Sequence, residues 1–272
     1  MKVRFHYSYP IDLDIETDKE VDVYIDQFNP CPVPIGAIRI VIIEEPKKGD
    51  MFDLVQRYRD AYTYVLTFHE EILRTNPKAI LFHCMTAWVK GYLCKKVFSV
   101  STVVGGKKDP VMEGYKLRHD LWHSRNSIHI PKRFYLSGTA KYSHVFHPWK
   151  DVSYVNELVL GASKSVLFNS MFHIAIENTS IKNYFSEKLV DCFQSKTVPI
   201  YYGCANVEEF FNVDGILIAH DLNDIITICN RLNPVRYYEM MPEIEDNYER
   251  SKKWLDNQEQ IKIMITKLIN DV

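Results

Sequence analysis

Residues 172–203, FHIAIENTSIKNYFSEKLVDCFQSKTVPIYYG, constrain the fold more than any other stretch of this chain. Phe172-His173-Ile174-Ala175-Ile176 is an apolar run with the length of a buried strand. Glu177-Asn178-Thr179-Ser180 supplies its polar exit. Ser186 then precedes Glu187-Lys188 and the helical spacing of Leu189, Val190 and Phe193, which predicts an N-cap and a first turn. A second apolar run, Val198-Pro199-Ile200-Tyr201-Tyr202, stops at Gly203. Strand, loop, helix and strand in this order build parallel α/β sheets. Such sheets bind ligands beyond the carboxyl ends of their strands. Asn178, Tyr184, Glu187 and Lys188 stand at such an end.

The rest of the chain alternates in the same way. Strands are predicted at Val3–Tyr7, Val21–Ile25, Ile38–Ile43, Tyr64–Thr67 and Ala79–Phe82, with helices at Met51–Tyr58 and from Glu70. A second series begins near Lys95: strands at Val97–Ser101, Phe134–Leu136 and Ile216–Ala219, and helices at Gly114–Ser124, Asn156–Ala162 and from Leu222. From Glu239 onward Ile244, Trp254, Leu255, Ile261, Ile265 and Leu268 recur at helical spacing among charges, which predicts an amphipathic helical tail. The expected organisation is two Rossmann-like α/β domains facing a cleft, residues 1–94 and 95–240, followed by a tail over 241–272.

At 272 residues the chain can bury a large core or two modest ones. A net charge of −2 gives no general electrostatic reason to bind nucleic acid or anionic membrane. The six cysteines lack CxxC spacing and several lie in apolar runs, so buried free thiols are expected. No apolar signal segment opens the chain, and no stretch approaches a membrane span. A soluble cytoplasmic protein is the expectation. Asp12-Leu13-Asp14 spells the DxD of metal-dependent sugar transferases but lies outside any matching context. The histidines His119, His123, His129, His144 and His147 form no convincing metal motif, although His119 and His123 share a helical face at i, i+4 where a site stays open beside solvent or acceptor contact, and Gly105-Gly106-Lys107-Lys108 lacks P-loop spacing. No metal is expected.

Glu177-Asn178, Tyr184, Glu187-Lys188 and Val198-Pro199-Ile200 to Gly203 together resemble the signature of the α-1,3/1,4-fucosyltransferases, glycosyltransferase family 10, of the soluble bacterial and viral type. The resemblance implies a GT-B fold whose tail packs back on the first domain. It implies an inverting, metal-independent transfer of L-fucose from GDP-fucose to a glycan hydroxyl, with no cofactor. Lys188 is then the contact to the donor phosphates and Glu187 to the ribose hydroxyls. Asn178 and Tyr184 orient the donor, and Glu177 belongs to the same donor-binding set. A lysine in the first turn opposes the helix dipole, a cost that a bound anion would offset. Plainer alternatives stay open: a solvated Lys188, a helix-capping Glu187 and a packing Tyr184.

Lys141, after Gly138-Thr139-Ala140, is the candidate second cation, and Arg118 matches a recurrent family arginine, with a surface helix charge as its alternative. The general base is expected from the other domain. Glu45 ends a strand before Pro46, at a place where family relatives often show Gly-Glu or Gly-Glu-Pro. Here Glu44 replaces the glycine, so either carboxylate could serve, and Glu45 is preferred. Another nucleotide sugar, a nucleobase, protein or small-molecule acceptor, or a non-catalytic binding role are the alternatives. A nucleic-acid acceptor would call for a basic stripe that the sequence does not display. Oligomeric state is not legible.

Overall fold

The computed structural model describes residues 2–8, 11, 13–46, 50–138 and 158–271. Lys141, Asp12, His144 and His147 lie outside the described residues. The chain divides into two compact units. One comprises the residues up to Thr86, Lys182–Tyr184 and those from Lys253 onward; the other comprises Ala87–Ile181 and Phe185–Lys252. The sequence expectation put the first division after residue 94 and kept the tail whole, whereas the units divide after Thr86 and share that tail.

The first unit carries β1 (Arg4–His6), β2 (Glu20–Ile25), β3 (Ala37–Ile42), β4 (Tyr64–Thr67) and β5 (Ala79–Leu81), all parallel and side by side in chain order. Helices α1 (Asp50–Arg57) and α2 (Glu70–Thr75) are crossovers within this series. Right-handed crossovers that all step the same way deliver their helices to one face. Phe52, Val55 and Ile72 accordingly pack with Tyr24, Val41 and Val65. The opposite face, Val21, Val23, Ile25, Ile38, Ile40, Ile42 and Leu66, must be covered from elsewhere. Helix α8 (Asn257–Asn270) covers it with Ile261, Ile265, Leu268 and Ile269, so the tail does pack on the first sheet. Ile265→Ala should therefore cost about 2–5 kcal/mol, as for buried core truncations. A urea midpoint shift at unchanged m-value measures it; a loss below ~1 kcal/mol would contradict this packing.

Residues 182–184 also belong here. The His83 ring, pushed down to about 4 by burial, is neutral near pH 7, and its Nε2 lies 2.8 Å from the Asn183 carbonyl. The Tyr184 ring lies 5.1 Å from that of Phe68 and is 6% exposed.

The second unit has six parallel strands: β6 (Val97–Val104), β7 (Lys132–Leu136), β8 (Leu158–Val159), β9 (Ser170–Ile176), β10 (Val198–Tyr202) and β11 (Leu217–Ile218). Their order is β11-β10-β9-β6-β7-β8. The chain runs outward from β6 through β7 to β8, then returns to β9 on the other side of β6 and runs outward again. The β6/β9 seam is thus the point where strand order reverses, and a crevice opens at the carboxyl ends there. Helices α3 (Glu113–His123) and α4 (Glu187–Gln194) follow β6 and β9. Because their crossovers step opposite ways, they fall on opposite faces. Helices α5 (Leu222–Arg231), α6 (Pro234–Glu239) and α7 (Met241–Ser251) complete the unit, with α5 against α3 and α7 against α4.

One expected helix is corrected. Leu158–Val159 is an edge strand paired with Tyr135 and Leu136, and residues 160–162 are irregular. The run Leu158-Val159-Leu160 is too short before Gly161 to favour a helix over sheet pairing. All six cysteines are free thiols. Among the described residues no helix is long and apolar enough to cross a membrane.

Candidate functional site

A pocket of about 370 Å³ opens at the β6/β9 seam, wholly within the second unit. Thr102, Val103 and Gly105 at the end of β6, and His173–Ile176 and Asn178 at the end of β9, contribute to its walls. Tyr115 and Arg118 come from α3, Glu187 and Lys188 from the start of α4, and Trp88 and Lys164 from connecting segments. Of the charged side chains that line it, Arg118, Lys164 and Lys188 are cations and Glu187 is the carboxylate. The first turn of α4 adds the positive end of a helix dipole.

The start of α4 is built around a buried carboxylate. Glu177 is fully buried and accepts the Ser186 N–H at 2.8 Å and the Ser186 hydroxyl at 2.6 Å. Ser186 is the N-cap, as its sequence context predicts, with its Oγ accepting from the Lys188 N–H. Lys188 Nζ donates to Ser186 Oγ at 2.9 Å and lies 3.4 Å from Glu177 Oε2 and 3.5 Å from Glu187 Oε1. Burial lowers the Lys188 pKa, but Glu177 and Glu187 together raise it further, so the ammonium stays charged. The dipole cost expected of this lysine is thus met inside the protein, by Glu177. Glu177 does not line the pocket; it lies on the buried side of Lys188, 3.4 Å from its Nζ.

Glu187 stands between two cations, with Lys164 Nζ 3.2 Å from its Oε1. Burial opposes its charge, yet Lys188 and Lys164 hold its carboxyl down at about 2. Its stabilising contribution is therefore full above the ordinary carboxylate pKa and fades as pH falls toward 2. Lys164 Nζ also sits 3.9 Å from the centre of the Trp88 ring. Asp191, one turn along α4, accepts the backbone N–H groups of Trp88 at 2.8 Å and Val89 at 3.0 Å and so fixes that segment. Burial raises the Asp191 carboxyl to about 7.

Helix α3 holds the other wall. The Arg118 guanidinium donates to the Ile176 carbonyl at 3.0 Å and to Asn178 Oδ1 at 2.9 Å, and lies over the Tyr115 ring. It is 9% exposed, so it is no solvated surface charge: it fixes Asn178 while presenting its cation to the pocket. Glu113 clamps the same loop, accepting the Ser180 N–H at 2.7 Å and the Thr179 hydroxyl at 3.0 Å. Its carboxyl is lowered: burial opposes the charge, but the Ser180 N–H outweighs it with help from Thr179 and Tyr202. Gly114 donates its N–H to the Asn178 carbonyl at 3.0 Å, and a side chain there would strike the backbone of Glu177 and Asn178. Gly114→Ala should destabilise the fold by at least the ~1–3 kcal/mol of ordinary overpacking and weaken ligand binding through Asn178. A melting curve and a titration read both; unchanged values would contradict this close approach.

The structure thus brings Asn178, Arg118, Glu187 and Lys188 together in one pocket. Tyr184 does not line it, since its ring packs on Phe68 in the first unit. Lys141 lies outside the described residues. Lys164 and Trp88 line the pocket although no sequence motif marks them. In the first unit, Glu44 accepts from the Tyr7 hydroxyl at 2.9 Å and the Cys84 thiol at 2.6 Å. Glu45 is exposed at the carboxyl end of β3, with its carbonyl 3.0 Å from His69 Nε2. Asp26 Oδ1 accepts the Glu44 N–H at 3.0 Å, and burial, with Glu44 and Glu45 adding to it, raises the Asp26 carboxyl to about 6. Among the described residues no group of three or more His, Cys, Asp or Glu could hold a metal ion.

Residues 145–267 match the family described as Glycosyltransferase family 10 (fucosyltransferase) C-term. The chain is 36% identical over 74 residues to an alpha-(1,4)-fucosyltransferase of Arabidopsis thaliana, covering 25% of this chain and 18% of that protein. It is 36% identical over 53 residues to the alpha-(1,3)-fucosyltransferase FucT of Helicobacter pylori, covering 20% of this chain and 11% of that one. The matches thus span less than a fifth of these curated relatives. Among solved structures, an α1,3-fucosyltransferase with GDP-fucose matches with TM-score 0.54 at 15% identity, covering 93% of this chain and 79% of that one. S. aureus TarM in complex with UDP matches with TM-score 0.60 at 14% identity, covering 93% and 56%. These structural likenesses show the fold, which is GT-B. The strand–helix–strand unit around Glu187 and Lys188 lies inside the matched segment, so it is through that segment, residues 145–267, that the chain is similar to glycosyltransferase family 10.

Proposed function

We propose that this protein is an inverting glycosyltransferase that moves L-fucose from GDP-fucose to a hydroxyl of a glycan. The observation that carries this reading is the pocket at the strand-order reversal, where the α4 N-terminus, Lys188, Lys164 and Arg118 converge. Such a set suits a diphosphate, which develops charge as it leaves. In the reading, the acceptor oxygen attacks the anomeric carbon opposite the phosphate. The bond from that carbon to the β-phosphate oxygen breaks, and its electron pair leaves with GDP. The acceptor proton passes to Glu45. Lys188, aimed by Glu177 and Ser186, meets the charge on the departing diphosphate, so the reading assigns that task to side chains and to no metal. Glu187 accepts from the ribose hydroxyls, as a carboxylate held at about 2 can at any physiological pH. Asn178, fixed by Arg118 and Gly114, orients the sugar or its phosphates.

TarM, whose structure contains UDP, favours one second reading on the same fold: a uridine-linked donor. Incubation with GDP-fucose and a panel of galactose- and N-acetylglucosamine-terminated glycans tests the first. A fucoside of anomeric configuration opposite to the donor's, read by proton NMR, is the expected product. Retained configuration, or turnover with UDP sugars instead, would overturn it.

A further inference from the structure

His173 is 5% exposed, yet it lines the pocket. Its Nδ1 lies 2.8 Å from the Ser101 hydroxyl. That hydroxyl has one proton and stands 2.7 Å from the Leu167 carbonyl oxygen. Two oxygens that close need a proton between them, so Ser101 donates to Leu167 and must accept from His173. The imidazole is therefore locked with its hydrogen on Nδ1. Burial, with Lys164 adding to it, pushes the ring down to about 3, so it is neutral and Nε2 carries a lone pair. Among the described residues Nε2 has no hydrogen-bond partner; the other contact of this ring is with Phe168. The cation nearby, Lys164, is held by Glu187 and Trp88. Nε2 is not one of the sealed interior atoms that lack a partner, so it is reachable from the pocket; a ligand that displaces water there must offer it a donor or leave it unpaired at a cost.

We propose that His173 is a specificity-determining residue of this pocket, a fixed acceptor for one O–H or N–H group on the nucleoside part of the bound donor. It rests on the reading of the pocket as a nucleotide-sugar site. The cations and the α4 N-terminus read phosphate, which every nucleotide shares. A fixed neutral acceptor instead discriminates between nucleosides, because a ligand without the matching donor leaves Nε2 buried and unpaired.

The test is calorimetric titration of the intact protein with GDP and with four analogues: 2′-deoxy-GDP, 3′-deoxy-GDP, inosine diphosphate and 1-methyl-GDP. The wild type should bind one of them about tenfold more weakly than GDP. His173→Asn, which keeps a donor for Ser101 but removes the outer nitrogen, should weaken GDP by a similar factor and leave that one analogue unchanged. His173→Gln, which returns an acceptor to the outer position, should recover most of the loss. The analogue that stops responding distinguishes a ribose hydroxyl from a base N–H. Wild-type GDP affinity in His173→Asn, or an equal loss on every analogue, would overturn the inference while leaving the donor reading intact. Wild-type protein that binds no GDP would overturn the donor reading, and the inference with it.

Discussion

Glu45→Gln should lower turnover by roughly 10²–10⁴-fold, the usual worth of a positioned base, and leave GDP affinity within about twofold. Gln keeps the size of the side chain and removes its basicity. Glu45 suits the role because its carboxylate is exposed at a strand end while its backbone is anchored by His69. Pro46 follows and keeps Glu45 out of helical conformation. Glu44 is differently placed: both of its oxygens are engaged, one by Tyr7 and one by Cys84. Glu44→Gln should therefore perturb stability more than the chemical step. Initial rates for both variants, with GDP titrated in parallel, decide between them. Full activity in Glu45→Gln with loss in Glu44→Gln would move the base to Glu44.

Lys188→Ala should weaken GDP binding by about 30- to 150-fold, since a charge-assisted phosphate contact is worth on the order of 2–3 kcal/mol. A second effect comes with it. Glu177 is fully buried and Lys188 is its cationic neighbour at 3.4 Å, so the variant leaves a carboxylate in the interior with Ser186 alone. Breaking a buried pair from one side costs about 3–5 kcal/mol. The melting midpoint should fall, and binding is to be titrated well below it. A double variant, Lys188→Ala with Glu177→Gln, separates the effects. It should regain stability, because the orphaned charge is gone, and should not regain GDP affinity. Recovery of affinity would mean that Lys188 serves the fold alone.

Short-range features were legible from sequence. The apolar run before Glu177, the cap at Ser186 and the run ending at Gly203 are local patterns, and each forms the element expected of it. The pocket residues Asn178, Glu187 and Lys188 follow from the same unit because strand and helix ends meet wherever it folds. What sequence could not show depends on distant residues. Glu113 reaches Ser180 and Arg118 reaches Asn178 across some sixty positions, contacts that only the sheet order creates. The resemblance places Glu177 with Asn178 in one donor-binding set, but the two residues face different surroundings in the fold. Adjacent residues point opposite ways where a strand ends, so one meets the pocket and the other the interior. Tyr184 lies one residue past a positive-φ Asn183, in a short excursion to the first unit that helical periodicity cannot reveal. Lys164 and Trp88 belong to irregular segments without a repeating pattern, and their pairing is visible only in three dimensions.

The most direct test of the central claim is thermal stabilisation against GDP, GDP-fucose, GDP-mannose, UDP-glucose and UDP-galactose, with Lys188→Ala beside the wild type. A ligand at a hundred times its dissociation constant stabilises by about 2.7 kcal/mol, enough to raise the midpoint by several degrees. The account predicts shifts with GDP and GDP-fucose that are absent in the variant at the same concentrations. Shifts with the UDP sugars alone, or equal shifts in Lys188→Ala, would contradict it.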